Sequence, residues 1–339
     1  MDKKIVRIVG HSKELIFPFS GSGPWKLYAQ KFIDSGFAIA GIEQHPRITH
    51  LVAHSHSKKA ISEAIRSGVP LKNRTLIIWE PKVVNEKIRS KKIKKLYGTL
   101  IYASQLWDEE NEARYFQWPQ SVENFNEIDF KEWTMRENSA VMIQANKYSI
   151  HKDEMYSLRR RVIREFEGSS GDLSLYGSHW DAGFFYNFRS WIASSRRIRA
   201  FNWRIKTIGD PITKFSNYLG EIDNKHVINS KYRVSIVIEN SLDYVSEKLF
   251  DALAAGTYVI YCGPPLHLFN LENLKIHLSS PNAAEIKKII SEFLDLPASE
   301  QYKSMLLQRK SILVDLHRHD HNLVLPKLAE FTILNFEHD

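Results

Sequence analysis

Cysteine is nearly absent: Cys262 is the only one in 339 residues. An internal disulfide framework is therefore excluded, and the fold must stand on packing alone, as a reducing compartment demands. Long apolar runs are also missing. No segment approaches ~18 uninterrupted apolar residues, so no membrane-spanning helix is expected, and the apolar stretch within residues 1–10 is too short for a signal h-region. Both absences predict a cytoplasmic protein. Glycine (15) and proline (12) stay at ordinary levels, and with 43% hydrophobic and 25% charged residues the chain is neither collagen-like nor disordered. Acid is in deficit, 39 Asp and Glu against 47 Lys and Arg, a formal charge of +8. That balance favours an anionic partner, whether nucleotide phosphates, nucleic acid or an anionic membrane surface, and composition does not choose among the three.

What is present reads as α/β. The length suits two domains of ~150 residues, or one large one. Short β-branched runs at 4–9, 49–54 and 75–79 alternate with helical stretches, which argues for parallel strands in a layered fold. Trp25, Tyr28, Ala29, Phe32 and Ile33 follow helical spacing, with Pro24 in the first turn and Gly36 at the C′ position. A second α/β region starts near Ala140. Met155, Leu158, Val162 and Phe166 mark a helix there, followed by a strand over 172–177. The aromatic, acidic stretch at ~110–138 is read as the passage between domains. The domains are then 1–138 and 139–320, with 321–339 a tail that packs back on the first.

The clearest unit spans 232–263. Tyr232 to Glu239 is a near-continuous apolar strand, as expected when both sheet faces are covered. Asn240 to Asp243 forms a short loop, 244–255 a helix stopped by Gly256, and 258–262 the next parallel strand, making one right-handed βαβ unit. Ligands of open parallel sheets bind at the carboxyl ends of strands, where a helix N-terminus attracts anions. Glu239, Asn240, Glu247 and Lys248 occupy that place. As side chains alone they fit two readings: an ordinary capping region, or a carboxylate for sugar hydroxyls with an ammonium for phosphate.

The order Tyr232-Arg233-Val234, apolar run, Glu239-Asn240-Ser241, then Tyr244-Val245-Ser246-Glu247-Lys248 and Ala255-Gly256 resembles the fucosyltransferase signature of glycosyltransferase family 10. Arg233, Val234, Ser246 and Val259 depart from the usual residues while keeping polarity and shape. The resemblance implies a GT-B fold, two Rossmann-like domains facing a cleft. It implies an inverting glycosyltransferase that moves L-fucose from GDP-β-L-fucose to a glycan hydroxyl in an α-1,3 linkage, with no essential metal or other cofactor. Carried over residue by residue, Lys248 and Arg159 meet the donor pyrophosphate, with Arg161 in reserve. Tyr244 and Glu247 contact ribose or sugar, and Asn240 lies near the phosphates. The neighbouring Arg160 and Arg164 read as a solvated helix face.

Arg74 to Val84 resembles the family's strand ending in Glu and Pro, which makes Glu80 the expected catalytic base. Trp79 and Pro81 flank it and would desolvate it toward the range useful for proton abstraction. The alternative is a solvent-exposed carboxylate closing a strand. The acceptor-binding residues are not readable. Residues 187–206 interleave Arg and Lys with Phe and Trp, which suits peripheral contact with an anionic membrane or simply a surface insertion with snorkelling stems. The chain resembles the family's bacterial, cytoplasmic members, for which the acceptor is a surface glycan such as a lipopolysaccharide O-chain. A transferase of the same fold with another nucleotide sugar is the nearest alternative. A nucleic-acid-binding protein is disfavoured, because no recognisable motif for it is present. His54 with His56, and His317, His319 and His321, lack the acidic ligand set of a metal site, and Gly21-Ser22-Gly23 reads equally as an anion cradle or a tight turn.

Overall fold

The fold comes from a computed structural model and is described for residues 4–10, 24–40, 47–104, 125–149, 151–168, 172–181, 215–274, 278, 282–316 and 320–337. Residues 21–23 and 187–206 of the sequence reading lie outside them, as do His317 and His319. The chain forms two compact units, residues 1–120 with 318–339, and residues 121–317.

The first unit is built on five parallel strands, β1 (Ile5–Val9), β2 (Ala38–Ile39), β3 (His50–Ala53), β4 (Arg74–Ile78) and β5 (Thr99–Tyr102), in the order β2-β1-β3-β4-β5. Helices α1 (Pro24–Asp34), α2 (Lys58–Arg66), α3 (Lys82–Asn85) and α4 (Lys91–Lys94) connect them. The strands are buried almost throughout, as parallel strands under helices must be. Gly36 takes φ +82° after α1, the left-handed turn that lets the chain reverse into β2.

The second unit carries α5 (Phe130–Thr134), β6 (Glu137–Ile143), α6 (Tyr156–Glu165), β7 (Leu173–Tyr176), β8 (Tyr218–Gly220), α7 (Lys225–Asn229), β9 (Tyr232–Ile238), α8 (Glu247–Ala254), β10 (Tyr258–Cys262), α9 (Ala283–Leu294) and α10 (Ala298–Leu316). Its parallel sheet runs β10-β9-β6-β7-β8. Alternate residues of β9 feed two cores. Val234, Ile236 and Ile238 pack with Leu158, Val162 and Ile290 on one face, while Val237 packs with Leu249, Leu253 and Ile312 on the other. That two-sided burial explains why the strand reads as one apolar run.

Trp133 is fully buried, and its indole donates to the carbonyl of Gly256 at 3.1 Å. Arg136 donates to the Ala255 and Gly256 carbonyls at 2.8 and 3.0 Å, so residues 125–137 are tied to the second unit. The chain then returns. Helix α11 (His321–Glu337) belongs to the first unit and packs along α1, where Phe336 lies 4.7 Å from the His50 ring and 6.2 Å from Phe37.

Candidate functional site

Both sheets change direction once. In the second unit the order reverses between β6 and β9, and in such sheets the ligand crevice lies beyond the carboxyl ends of the two strands flanking that point. Those ends are Gln144-Ala145 and Glu239-Asn240. The two loops leaving them are stitched together, with Glu154 bridged to Ser241 and the Met155 amide donating to the Asn240 carbonyl at 3.1 Å.

Arg159 of α6 spans the reversal point. Its guanidinium, 1% exposed, donates to the Ile238 carbonyl through Nη2 at 2.7 Å and Nε at 3.2 Å, to the Ala145 carbonyl through Nη1 at 3.4 Å, and to Asn240 Oδ1 at 2.9 Å. The Tyr156 ring lies 4.8 Å beneath it. Burial pulls its pKa down to about 10, so it stays charged at neutral pH. The bond to Oδ1 orients Asn240 so that its amide NH2 faces away from Arg159. Arg161, the reserve candidate, is exposed on the same helix and reaches Ser157 Oγ at 3.5 Å. The expectation for Arg160 is overturned: it is buried, stacked 4.1 Å over the Tyr148 ring, and donates to the Lys147 carbonyl at 2.8 Å. An aromatic face and a carbonyl meet it where water was expected.

Across the loop, α8 begins at Glu247, three residues later than expected, and Tyr244 and Val245 are buried ahead of it. The delay has a local cause. Ser246 holds the N-cap position, yet its hydroxyl does not cap the helix and instead donates to Glu239 Oε2 at 2.6 Å. The Ser246 amide donates to Glu239 Oε1 at 2.8 Å, and the Tyr261 hydroxyl reaches the same oxygen at 3.4 Å. Glu239, 0% exposed, therefore pins the end of β9 to the start of α8. Lys248, 16% exposed, donates to Ser246 Oγ at 2.8 Å and lies 3.7 Å from Glu239 Oε2.

Glu247 points to a second cation. Lys225 of α7 sits 3.0 Å from its Oε1 and 3.5 Å from Asp251 Oδ2. Burial pushes the Glu247 carboxyl up, but Lys248 and Lys225 outweigh it and hold the group down at about 2. Gln144, Lys225, Asn229, Lys248 and Asp251 line a small recess that is partly open to solvent. Gln144 is 4% exposed, and neither its side-chain oxygen nor its side-chain nitrogen has a hydrogen-bond partner among the described residues. Sequence reasoning missed it, because a lone Gln ending an apolar strand carries no signal.

In the first unit Glu80 lies two residues beyond β4 and is half-buried, between the buried Trp79 and Pro81. Its carbonyl accepts from Arg89 Nη2 at 2.5 Å. His54 and His56 do not pair with each other: His54 contacts Trp79 Nε1 at 3.0 Å, and His56 contacts the Tyr97 hydroxyl at 3.1 Å. Among the described residues no group of three His, Cys, Asp or Glu side chains is placed to hold a metal ion, and no helix is long and apolar enough to cross a membrane.

No protein-family model and no curated protein sequence matches the chain. Solved structures do. Anabaena HepE in complex with UDP-glucose superposes with a TM-score of 0.57 over 97% of this chain and 99% of its own, at 9% identity. An α1,3-fucosyltransferase superposes at 0.53 over 99% and 90%, with 13% identity, and sucrose-phosphate synthase of Thermosynechococcus elongatus at 0.53 over 99% and 100%, with 11% identity. The two α/β units thus have the GT-B fold of glycosyltransferases.

Proposed function

We propose that the protein is an inverting glycosyltransferase that moves L-fucose from GDP-β-L-fucose to a glycan hydroxyl, with an α-1,3 linkage as the expected product. One observation supports this reading: Arg159 bonds Asn240 and Lys248 bonds Ser246 beside the reversal point of the second sheet, where the segment 232–256 resembles the family 10 fucosyltransferases. Arg159 and Lys248 neutralise the charge that develops on the departing nucleoside diphosphate, a task that preorganised cations perform without a metal. Asn240 presents its amide to the phosphates, and Tyr244 and Glu247 contact ribose or sugar. Glu80 takes the proton of the acceptor hydroxyl as that oxygen attacks the anomeric carbon. The acceptor is a surface glycan such as a lipopolysaccharide O-chain, met at the inner face of the membrane with residues 187–206 as the peripheral contact.

A second donor is favoured by one finding, the superposition on HepE, whose structure holds UDP-glucose. Thermal stabilisation and slow donor hydrolysis with GDP-fucose, GDP-mannose and UDP-glucose separate the two readings, because a ligand that binds only the folded state raises the melting temperature by mass action. Response to GDP-fucose alone, lost in Lys248→Ala, is expected. Response to UDP-glucose alone keeps the transferase and replaces the sugar.

A further inference from the structure

In the first sheet the strand order reverses between β1 and β3, and His54 stands at the carboxyl end of β3. It is 1% exposed and engaged at both ring nitrogens. Trp79 Nε1 lies 3.0 Å from Nδ1, and the Tyr28 hydroxyl lies 3.2 Å from Nε2. The His54 and Trp79 rings stack at 5.7 Å and 8°, while Trp25 and Tyr28 of α1 stand edge-on to the imidazole at 5.3 and 5.2 Å.

The chemistry of these groups fixes the direction of every bond. An indole N–H only donates, so Nδ1 must be the bare acceptor and Nε2 must carry the hydrogen. Nε2–H then donates to the Tyr28 oxygen. A polarised chain thus runs from Trp79 through His54 to Tyr28 of α1. Its Trp79 end adjoins Glu80, whose carbonyl accepts from Arg89 Nη2.

We propose that His54 is a positioning residue for Glu80: it fixes the Trp79 indole and with it the backbone from which the Glu80 carboxylate projects. The proposal rests on the reading of Glu80 as the base. A buried imidazole held at both nitrogens resists rotation, so Trp79 has one orientation. The residue after it is set to the same precision, as a group that must meet a hydroxyl within hydrogen-bond reach requires.

Three variants test it. Trp79→Phe and His54→Phe each delete the bond between the rings while keeping an aromatic side chain, and His54→Asn retains an acceptor near the place of Nδ1. Amide hydrogen exchange over residues 77–85 reads the order of the segment without any substrate. Both Phe variants are expected to exchange about tenfold faster there, with residues 232–262 unchanged and His54→Asn partly restored. Hydrolysis of GDP-fucose by the same preparations is expected to show kcat about tenfold lower at unchanged donor KM, a split that mere loss of stability does not produce. Unaltered exchange over 77–85 in folded Trp79→Phe overturns the proposal, as does a 15N spectrum of the native protein that finds Nδ1 protonated. If His54→Phe does not fold, Trp79→Phe decides alone. Glu80→Gln is measured alongside: full hydrolysis by that variant defeats the base, whereas an inactive Glu80→Gln beside a fully active and unloosened Trp79→Phe defeats only the role of His54.

Discussion

Ser246 stands between a buried acid and a half-buried base: its hydroxyl donates to Glu239 at 2.6 Å and accepts from Lys248 at 2.8 Å. The serine that would ordinarily cap α8 is spent on linking the two charges. Removing the carboxylate leaves the Ser246 amide and hydroxyl without their acceptor and Lys248 without its counter-charge. Glu239→Ala is expected to cost about 3 kcal/mol, the scale for breaking a buried pair from one side. Chemical denaturation measures the loss, and Glu239→Gln, which keeps one acceptor oxygen, should lose less.

Arg159 and Lys248 share an expected role but not a structural one. Arg159 ties Ile238, Ala145 and Asn240 together from a fully buried position, whereas Lys248 is partly exposed. Arg159→Ala should therefore lower the melting temperature of the free protein by several degrees, on the scale of about 2 kcal/mol for lost charged hydrogen bonds, and abolish nucleotide stabilisation. Lys248→Ala should leave the free protein close to native and lose the nucleotide response. Melting curves with and without GDP separate the two.

Gln144 buries a side-chain amide with no partner among the described residues. An unsatisfied polar group costs about 1–3 kcal/mol, so Gln144→Leu is expected to raise the melting temperature of the free protein. If the amide is reserved for the donor, the same variant shows a smaller shift on adding nucleotide. A raised melting point with a full nucleotide shift would show that the ligand does not use Gln144.

His50 sets a pH dependence. Burial, aided by Lys4, lowers its pKa from 6.5 to about 4, so the folded state favours the neutral ring. The unfolded chain then binds more protons between those values. Stability is complete above pH 6.5 and falls as pH drops toward 4, by about 2–3 kcal/mol from this group. The ring packs on Phe37 and Phe336 and contacts Thr49 Oγ1 at 2.8 Å. His50→Gln should flatten that part of the profile, measured by denaturation at a series of pH values.

The βαβ unit from β9 to β10 is legible because its strand is apolar throughout and Gly256, at φ +73°, must end the helix. Lys248 stands out for the same reason, since it follows from where the strand ends, whereas Arg159 is singled out by the resemblance alone. Glu239 is not legible as a buried group. At the end of the apolar strand it reads as a capping group or a carboxylate for sugar hydroxyls, and its burial depends on Ser246 and Tyr261, 7 and 22 residues further on. Arg160 misleads similarly: helical spacing puts it on an open face, and only the fold brings Tyr148 over it. Strands β2 and β8, two and three residues long, are too short to show a period. The anchoring of residues 125–137 in the second unit hangs on Trp133 meeting Gly256, 123 residues away, a contact no local pattern encodes.

The return of α11 to the first unit orders events during synthesis. Tyr28, Phe37 and His50 are made early, yet Thr332 and Phe336, which cover or bond them, emerge from the ribosome only after the whole second unit. Until then the nascent first unit presents an uncovered apolar flank along α1. The protein thus completes its first-made half last, and the interval of exposure is set by translation rather than by the intrinsic folding rate of that half.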